Sequence, residues 1–224
     1  MMKKTSYVIT ALLLCSAGCV EAQSAESNVY GGIEMGKAKL DNQSKLATTE
    51  LVTAYGGSAT AIQDSAVNDF RLFGGYKFNE YVELELGYLQ TSHLSLAVSG
   101  TSGGGVKYNI DAAAKVSGLD YSVILRPSTA PQYKNVFARV GITNYKDDLS
   151  GTATAGGNTF NLTGTGSGMG TLYGMGYDAP LGGNTHLRLS VNKFIKIVGQ
   201  SDLNAVVYSV GFVSHFESHP FAFR

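Results

Sequence analysis

Residues 70–89 alternate between apolar and polar positions twice, on either side of a short polar break at Asn79-Glu80. In each half, one face is apolar and the other carries charged side chains, among them Arg71 and Glu85. Alternation with a period of two predicts β-strands, and two such runs across a short turn predict an antiparallel hairpin. The pattern fits a soluble sandwich with its polar face in water. It equally fits a membrane barrel with its apolar face in lipid and its polar face in the lumen.

The same alternation recurs along the chain and predicts eight strands. They lie at residues 28–37, 70–78, 82–98, 106–126, 135–145, 169–179, 185–195 and 203–216. Residues 46–55, in the long polar segment after the first strand, are compatible with one or two helical turns. Connections after the second, fourth and sixth strands are short, whereas those after the first, third and fifth are long. This layout predicts an all-β protein, an eight-stranded antiparallel up-and-down transmembrane β-barrel with short periplasmic turns.

The start of the chain has the pattern of a secretory signal peptide. Lys3-Lys4 gives a positive beginning, residues 7–18 are apolar, and Val20-Glu21-Ala22 offers a cleavage site. The alternative is lipoprotein processing at Cys19. We expect residues 1–22 to be removed as a signal peptide, and we expect the protein to reach the outer membrane of a Gram-negative cell.

The rest of the chain is predicted to form one domain. Residues 23–216 are expected to form the barrel, and residues 217–224 a short C-terminal tail. Both cysteines, Cys15 and Cys19, lie in the segment expected to be removed or modified, so disulfides do not stabilise the mature chain. A closed barrel has no need of them, because all its strands are paired.

The composition supports a membrane barrel. The 17 basic residues balance the 17 acidic residues, which argues against a nucleic-acid partner. No apolar run of about 20 residues follows the signal segment, so no transmembrane helix is predicted. The 28 glycines, 13 tyrosines and 10 phenylalanines suit a lipid-facing wall with many turns and aromatic girdles.

Two of the long connections are predicted to protrude as hairpins. In residues 92–111, alternating arms flank the glycine-rich tip 100–105. In residues 147–168, two Thr-containing arms flank Ala155-Gly-Gly-Asn158. A glycine-rich tip between alternating arms is typical of a β-hairpin. The alternation thus continues beyond what is needed to cross a membrane, and these arms are candidates for contact with a host-cell or matrix ligand.

Several strands resemble a known family. The stretch Phe73-Gly-Gly-Tyr-Lys-Phe-Asn-Glu-Tyr-Val-Glu-Leu-Glu-Leu-Gly-Tyr88 closely resembles the second hairpin of the transmembrane domain of outer-membrane protein A. Three others are similar to its first, fifth and seventh strands: Tyr30-Gly-Gly-Ile-Glu-Met-Gly36, Asn135-Val-Phe-Ala-Arg-Val-Gly141 and Thr185-His-Leu-Arg-Leu-Ser190. The resemblance covers the strands and fails in the loops. It implies an eight-stranded outer-membrane barrel similar in size to the small adhesion barrels of the outer-membrane protein X type.

The polar faces of the predicted strands define a candidate site inside the barrel. An eight-stranded barrel is just wide enough for side chains to fill. Unpaired charges there are costly, so we expect an ion network. It comprises Glu34, Arg71, Glu83, Glu85, Arg139 and Arg188, with Asp120 on the same surface. By resemblance, Glu85 and Arg188 occupy positions that pair across the lumen.

The sequence does not favour catalysis. Glu83 and Glu85 share a face as paired carboxylates could, but the arginines around them favour a structural role. Ser214 and His215 are neighbours on a strand and point to opposite faces, so they cannot act together. The four histidines lack metal-ligand spacing. We therefore expect neither an enzyme nor a cofactor.

Two functional hypotheses remain. In the first, the barrel presents long extracellular loops for surface interaction or adhesion, through residues 92–111 and 147–168. In the second, it is a structural outer-membrane barrel or a narrow, low-conductance channel. In either case we expect a monomer surrounded by outer-membrane lipid and lipopolysaccharide.

Overall fold

Ten strands dominate the part of the chain that the structure, a computed structural model, describes. That part comprises residues 26–40, 48–49, 52–54, 56–64, 66–127, 130, 133–199 and 203–217. The strands are β1 (Glu26–Leu40), β2 (Ser58–Gln63), β3 (Ala66–Lys77), β4 (Val82–Thr91), β5 (Leu94–Thr101), β6 (Lys107–Leu125), β7 (Val136–Ala155), β8 (Asn158–Gly182), β9 (Thr185–Ile195) and β10 (Ala205–Glu217). One short 3-10 helix, Ile197–Gly199, lies between β9 and β10. Residues 48–49 and 52–54 are helical, within the segment where the sequence predicts helical turns.

Eight of these strands pair in a closed antiparallel ring. Their order is β6-β4-β3-β1-β10-β9-β8-β7, and β7 pairs back to β6. The first and last strands close the ring, from Tyr30 opposite His215 to Leu40 opposite Ala205. The predicted all-β, eight-stranded antiparallel up-and-down barrel is therefore confirmed. Closure leaves no unpaired strand edge in the ring. Such an edge would be unfavourable in lipid, because lipid cannot form hydrogen bonds with its backbone groups.

Alternation along each ring strand separates two environments. Outward-facing side chains such as Leu72, Leu86 and Val210 are exposed and apolar, and they form the lipid-facing belt. Inward-facing side chains such as Arg71 and Glu85 are buried. Four aromatic side chains beside the short turns are exposed, as an interfacial aromatic girdle requires: Phe78, Tyr81, Tyr133 and Tyr177. We call the opposite end of the ring the outer mouth.

The predicted third strand is wrong in one respect, because it is divided at Ser92 and His93 into β4 and β5. β4 stays in the ring between β3 and β6, whereas β5 pairs with β6 and β2. The break has a structural cause. β3 begins at Ala66, so beyond that level β3 offers no partner, and β2 takes over that role. β2 was not predicted, because its six residues alternate only weakly in polarity.

Beyond the ring, five strands continue as one antiparallel sheet, which we call the mouth sheet. It consists of β2, β5, residues 107–115 of β6, and the ends of β7 and β8 around their shared turn. β6 and β7 remain paired as far as Tyr108 opposite Ala155. The two protruding hairpins predicted as separate arms are thus joined side by side. Local alternation predicts each arm but carries no signal for pairing between them.

Two predictions, the signal peptide and the C-terminal tail, concern residues outside the described ranges. The signal peptide at 1–22, including Cys19, lies there, and so do residues 218–224 of the predicted tail. β10 ends at Glu217, one residue after the predicted end of the barrel. The division into signal peptide, barrel and tail stays a prediction.

Candidate functional site

The lumen of the ring contains a continuous network of buried charges, with Glu85 on β4 at its centre. Arg71 Nη2 and Arg139 Nη2 lie 2.8 and 2.7 Å from Glu85 Oε1. Arg188 Nη1 lies 2.7 Å from Glu85 Oε2, which joins the two positions that the family resemblance pairs. The side chains of all four residues are at most 4% exposed. Four strands therefore meet at one carboxylate.

Towards the outer mouth, Arg71 extends the network to two more carboxylates. Its Nη1 lies 2.8 Å from Glu34 Oε2, and its Nε and Nη2 donate to Asp120 at 2.9 and 2.6 Å. The contact with Asp120 has the two-pronged geometry that a guanidinium group forms with a carboxylate. Ser190 donates to the other oxygen of Glu34 at 3.0 Å. Buried charges at this level are thus paired and hydrogen-bonded, as burial requires.

Towards the short turns, Arg188 connects the centre to a second cluster. Its Nε lies 2.7 Å from Asp178 Oδ1, and Arg126 Nη2 lies 2.7 Å from Asp178 Oδ2. Arg126 also donates from Nε to Glu83 Oε1 at 2.7 Å. The chain of contacts therefore runs the length of the ring's charged section without a break.

Aromatic rings hold the guanidinium of Arg188 in place. Its Cζ lies 5.0 Å from the centre of the Phe73 ring and 4.7 Å from that of Phe137. Contacts of this kind between a cation and aromatic rings are favourable, more so when both are desolvated. Tyr30 and Val213 pack with Phe73, and this small apolar cluster fills the lumen beside the charges.

All six predicted site residues belong to this one network: Glu34, Arg71, Glu83, Glu85, Arg139 and Arg188. Asp120, predicted on the same surface, is also a member. Sequence reasoning missed Arg126 and Asp178. The sequence did contain the signal. Alternation places Arg126 on the same face of its strand as Asp120, and it places Asp178 on the inner face because the preceding residue, Tyr177, points outward. Both residues stand at the ends of strands, where alternation is a weaker guide.

The outer mouth of the ring is filled by apolar side chains. The cluster comprises Ala38, Val67, Leu89, Leu94, Tyr145, Leu172, Phe194, Ile197, Val198, Leu203, Ala205 and Val207. Three of these, Ile197, Val198 and Leu203, come from the connection between β9 and β10, which folds into the mouth. The sequence predicts this segment only as a short connection between two strands. Its role as a plug depends on contacts with strands that are distant in sequence.

The side chains of the ion network and of the apolar plug fill the lumen. Glu83 and Glu85 are held by arginines, and Ser214 and His215 are paired with successive residues of β1. Within the described ranges, no group of three or more His, Cys, Asp or Glu side chains could hold a metal ion. No helix in the same ranges is long and apolar enough to cross a membrane.

Comparison with known proteins identifies the family. The family described as "Outer membrane protein beta-barrel domain" matches residues 9–216 of the chain. This match covers most of the sequence, so the chain belongs to that family and is an outer-membrane β-barrel protein. The resemblance to eight-stranded outer-membrane barrels is thereby confirmed, together with the ring of eight strands. No curated protein matches the chain in sequence.

Several solved structures are similar to this chain at low sequence identity. Ail, the attachment invasion locus protein of Yersinia pestis, crystallised with the heparin analogue sucrose octasulfate, is 14% identical with a TM-score of 0.45. That match covers 84% of this chain and 99% of Ail. Neisserial surface protein A is 17% identical with a TM-score of 0.41, over 86% of this chain and 99% of the other. The N-terminal β-barrel domain of Pseudomonas aeruginosa OprF is 12% identical with a TM-score of 0.40, over 86% and 100%.

Proposed function

We propose that this outer-membrane barrel is a surface-interaction protein, and that the outer edge of β8 in the mouth sheet is its contact site. The observation that carries the proposal is a difference in pairing along β8. Its pairing with β7 continues to Asn158, whereas its pairing with β9 begins only at Thr171. Residues 158–165 therefore lack a strand partner on their second side within the described part of the chain.

The composition of this edge supports binding of an extended partner. Residues 158–165 read Asn-Thr-Phe-Asn-Leu-Thr-Gly-Thr, without charge or proline. Natural sheets usually protect exposed edges with lysine, proline or bulges, because an unprotected edge accepts a further strand. At ~3.4 Å per residue, eight residues offer an edge of about 25 Å. A partner strand would gain affinity from main-chain hydrogen bonds and specificity from alternate side chains.

The second hypothesis, a structural barrel or narrow channel, is favoured by one observation, the polar lumen. The ion network and the apolar plug both occupy that lumen, so conduction would require both to rearrange. We therefore place it second. Adhesion through residues 92–111 and 147–168 remains the first hypothesis, with the contact now narrowed to one edge of the second segment.

The surroundings of the protein are also part of the proposal. Lys37 and Lys39 on β1, and Lys193 on β9 at the far side of β10, are exposed on the outer face next to the apolar belt. Their position suits the phosphate groups of lipopolysaccharide. Closure of the ring leaves no strand edge in the membrane-spanning wall for another copy, which supports a monomer there. We further propose export from the cytoplasm of a Gram-negative cell, with cleavage after Ala22.

The test is bacterial display on a non-adherent host. Cells displaying the full-length protein are compared with cells whose protein has residues 149–164 replaced by an Asn-Gly turn, which closes the shortened hairpin between Asp148 and Thr165. Heat-dependent gel mobility establishes that each barrel is folded. Cells bound to epithelial monolayers and to plates coated with fibronectin or laminin are then counted. We expect binding by the full-length protein and its loss in the shortened one.

A matched pair of variants distinguishes binding at the edge strand from binding at the face of the sheet. Asn161→Lys with Thr163→Lys places charge on the edge strand. Thr152→Lys with Ser150→Lys places the same charge on the residues directly opposite, on the inner strand β7. The proposal expects lost binding for the first pair only. Equal binding by all variants would show it to be wrong. No binding by any folded form would favour the structural or channel hypothesis.

A further inference from the structure

A cavity of about 120 Å³ lies inside the outer mouth, within the apolar plug and above the ion network. Its wall is largely apolar, with Val67, Leu89, Phe194, Leu203 and Val207 among the lining residues. The wall also includes one deeply buried carboxylate, that of Asp69. Neither the barrel fold nor the proposed contact at β8 accounts for this cavity.

The Asp69 carboxylate is both buried and incompletely paired. The residue is 6% exposed, and its Oδ1 atom has no hydrogen-bond partner among the described residues. It stands opposite Gly36 on β1, which has no side chain to cover it. A buried carboxylate oxygen without a partner is costly, and such atoms are uncommon in native structures. A ligand that donates a hydrogen bond or carries a positive charge would remove that cost.

The ion network below cannot supply the missing partner. Arg71, two residues along β3 from Asp69, already contacts Glu34, Glu85 and Asp120. Arg139 is likewise held by Glu85, at 2.7 Å. The network joins four guanidinium groups to five carboxylates, so the local balance of charge favours an additional cation. The apolar wall favours a hydrocarbon body attached to that cation.

We propose that this cavity binds a small apolar molecule that carries a protonated amine, with the ammonium group at the Asp69 carboxylate. An apolar cavity of about 150 Å³ stays dry and binds benzene, so the space here suits a body of about five or six carbon atoms. Asp147 on β7 also lines the cavity, and no residue of the described ranges forms a hydrogen bond with its Oδ1 atom, so a second donor on the ligand can be accommodated.

The experiment compares three probes of similar size on the folded barrel in lipid nanodiscs. Cyclopentylamine carries the charge, cyclopentanol is its neutral counterpart, and cyclopentane tests the apolar wall alone. Methyl NMR signals of Val67, Leu203 and Val207 report saturable binding and separate it from partition into lipid. We expect the amine to bind at least tenfold more tightly than the alcohol.

Three substitutions test which residues recognise the charge and the apolar body of the ligand. Asp69→Asn keeps the shape of the side chain and should abolish the preference for the amine, whereas cyclopentane binding should change little. Asp148→Asn is the control, because Asp148 is exposed on the same rim and does not line the cavity. Ala205→Leu fills the cavity and should weaken all three probes at least tenfold.

Three outcomes would overturn the proposal. The first is equal binding of amine and alcohol to the unchanged protein. The second is a preference for the amine that survives Asp69→Asn. The third is the absence of saturable binding by any probe to a barrel that gel mobility shows to be folded. None of these outcomes bears on the β8 contact site, since display and adhesion are measured separately.

Discussion

Two glutamates on β4 have the same side chain and the same orientation but contribute differently to the stability of the ion network. Glu83 and Glu85 both point into the lumen and both are buried. Glu83 contacts one guanidinium group, that of Arg126, whose side chain is 12% exposed. Glu85 contacts three guanidinium groups, all deeply buried. Removing the charge of Glu85 therefore leaves more uncompensated positive charge in a region that water does not reach.

We predict that Glu85→Gln destabilises the barrel more than Glu83→Gln. Loss of one partner from a buried ion pair costs about 3–5 kcal/mol, and Glu85→Gln should fall in that range. Loss of a single charged hydrogen bond costs about 2 kcal/mol, which is the expected upper limit for Glu83→Gln. Urea unfolding of the barrel refolded in phospholipid vesicles measures both free energies. Equal losses of unfolding free energy in the two variants would show that Glu85 is no more important to the network than Glu83.

At the scale of an element, the connection between β9 and β10 stands out because its backbone is strained. Lys196 and Val198 have φ angles of 57° and 58°, although neither is glycine. This conformation is unfavourable for a residue with a Cβ atom, most of all for a β-branched one. The strain persists because Ile197 and Val198 are buried in the apolar plug. Packing into the mouth thus maintains a backbone that local preference opposes.

Lys196 allows this strain to be measured, because its side chain is exposed. Lys196→Gly should raise the free energy of unfolding by about 1 kcal/mol relative to Lys196→Ala, since only glycine adopts a positive φ angle without cost. Both substitutions remove the same side chain, so the alanine variant is the control. Urea unfolding in vesicles is again the measurement. An alanine variant as stable as the glycine variant would contradict the account of strain.

At the scale of the whole molecule, both the wall of the ring and its lumen are closed. Paired strands close the wall, and side chains close the lumen with an ion network followed by an apolar plug. An eight-stranded ring offers little space beyond what its side chains fill. The mouth sheet is the part of the molecule that extends past this closed body. We therefore expect contacts other than those with lipid at the mouth sheet.

We expect the unchanged protein to give no stepwise conductance in planar bilayers. Glu85→Ala with Arg188→Ala removes two opposite charges from the centre of the lumen, but the apolar plug still closes the outer mouth, so we expect no conductance steps from this variant either. Lys146→Ala with Asp148→Ala removes an exposed ion pair at the mouth, 3.5 Å apart, and should stay silent. A large, steady conductance from the unchanged protein would show that the lumen is not filled in the membrane.

The sequence by itself determined the parts of this protein that depend on alternation. A period of two assigns each residue of a strand to one of two faces, so it identified the ring strands, the lipid-facing belt and the charges of the lumen. It placed Glu34, Arg71 and Arg188 on the inner surface before any partner was known. It also predicted the short turns and the protruding hairpins, because glycine, proline and polar residues interrupt the pattern there.

Only the tertiary structure decided which residues meet. Alternation carries no information on register between strands, so it could assign Arg126 and Asp178 to the inner face but could not show which charges meet or distinguish Glu85 from Glu83. The pairing of β6 with β7 joins two hairpins into one sheet, and the β9–β10 connection becomes a plug, through contacts distant in sequence. The cavity at Asp69 exists for the same reason. Its wall comes from several strands, and the space between them is set by their packing.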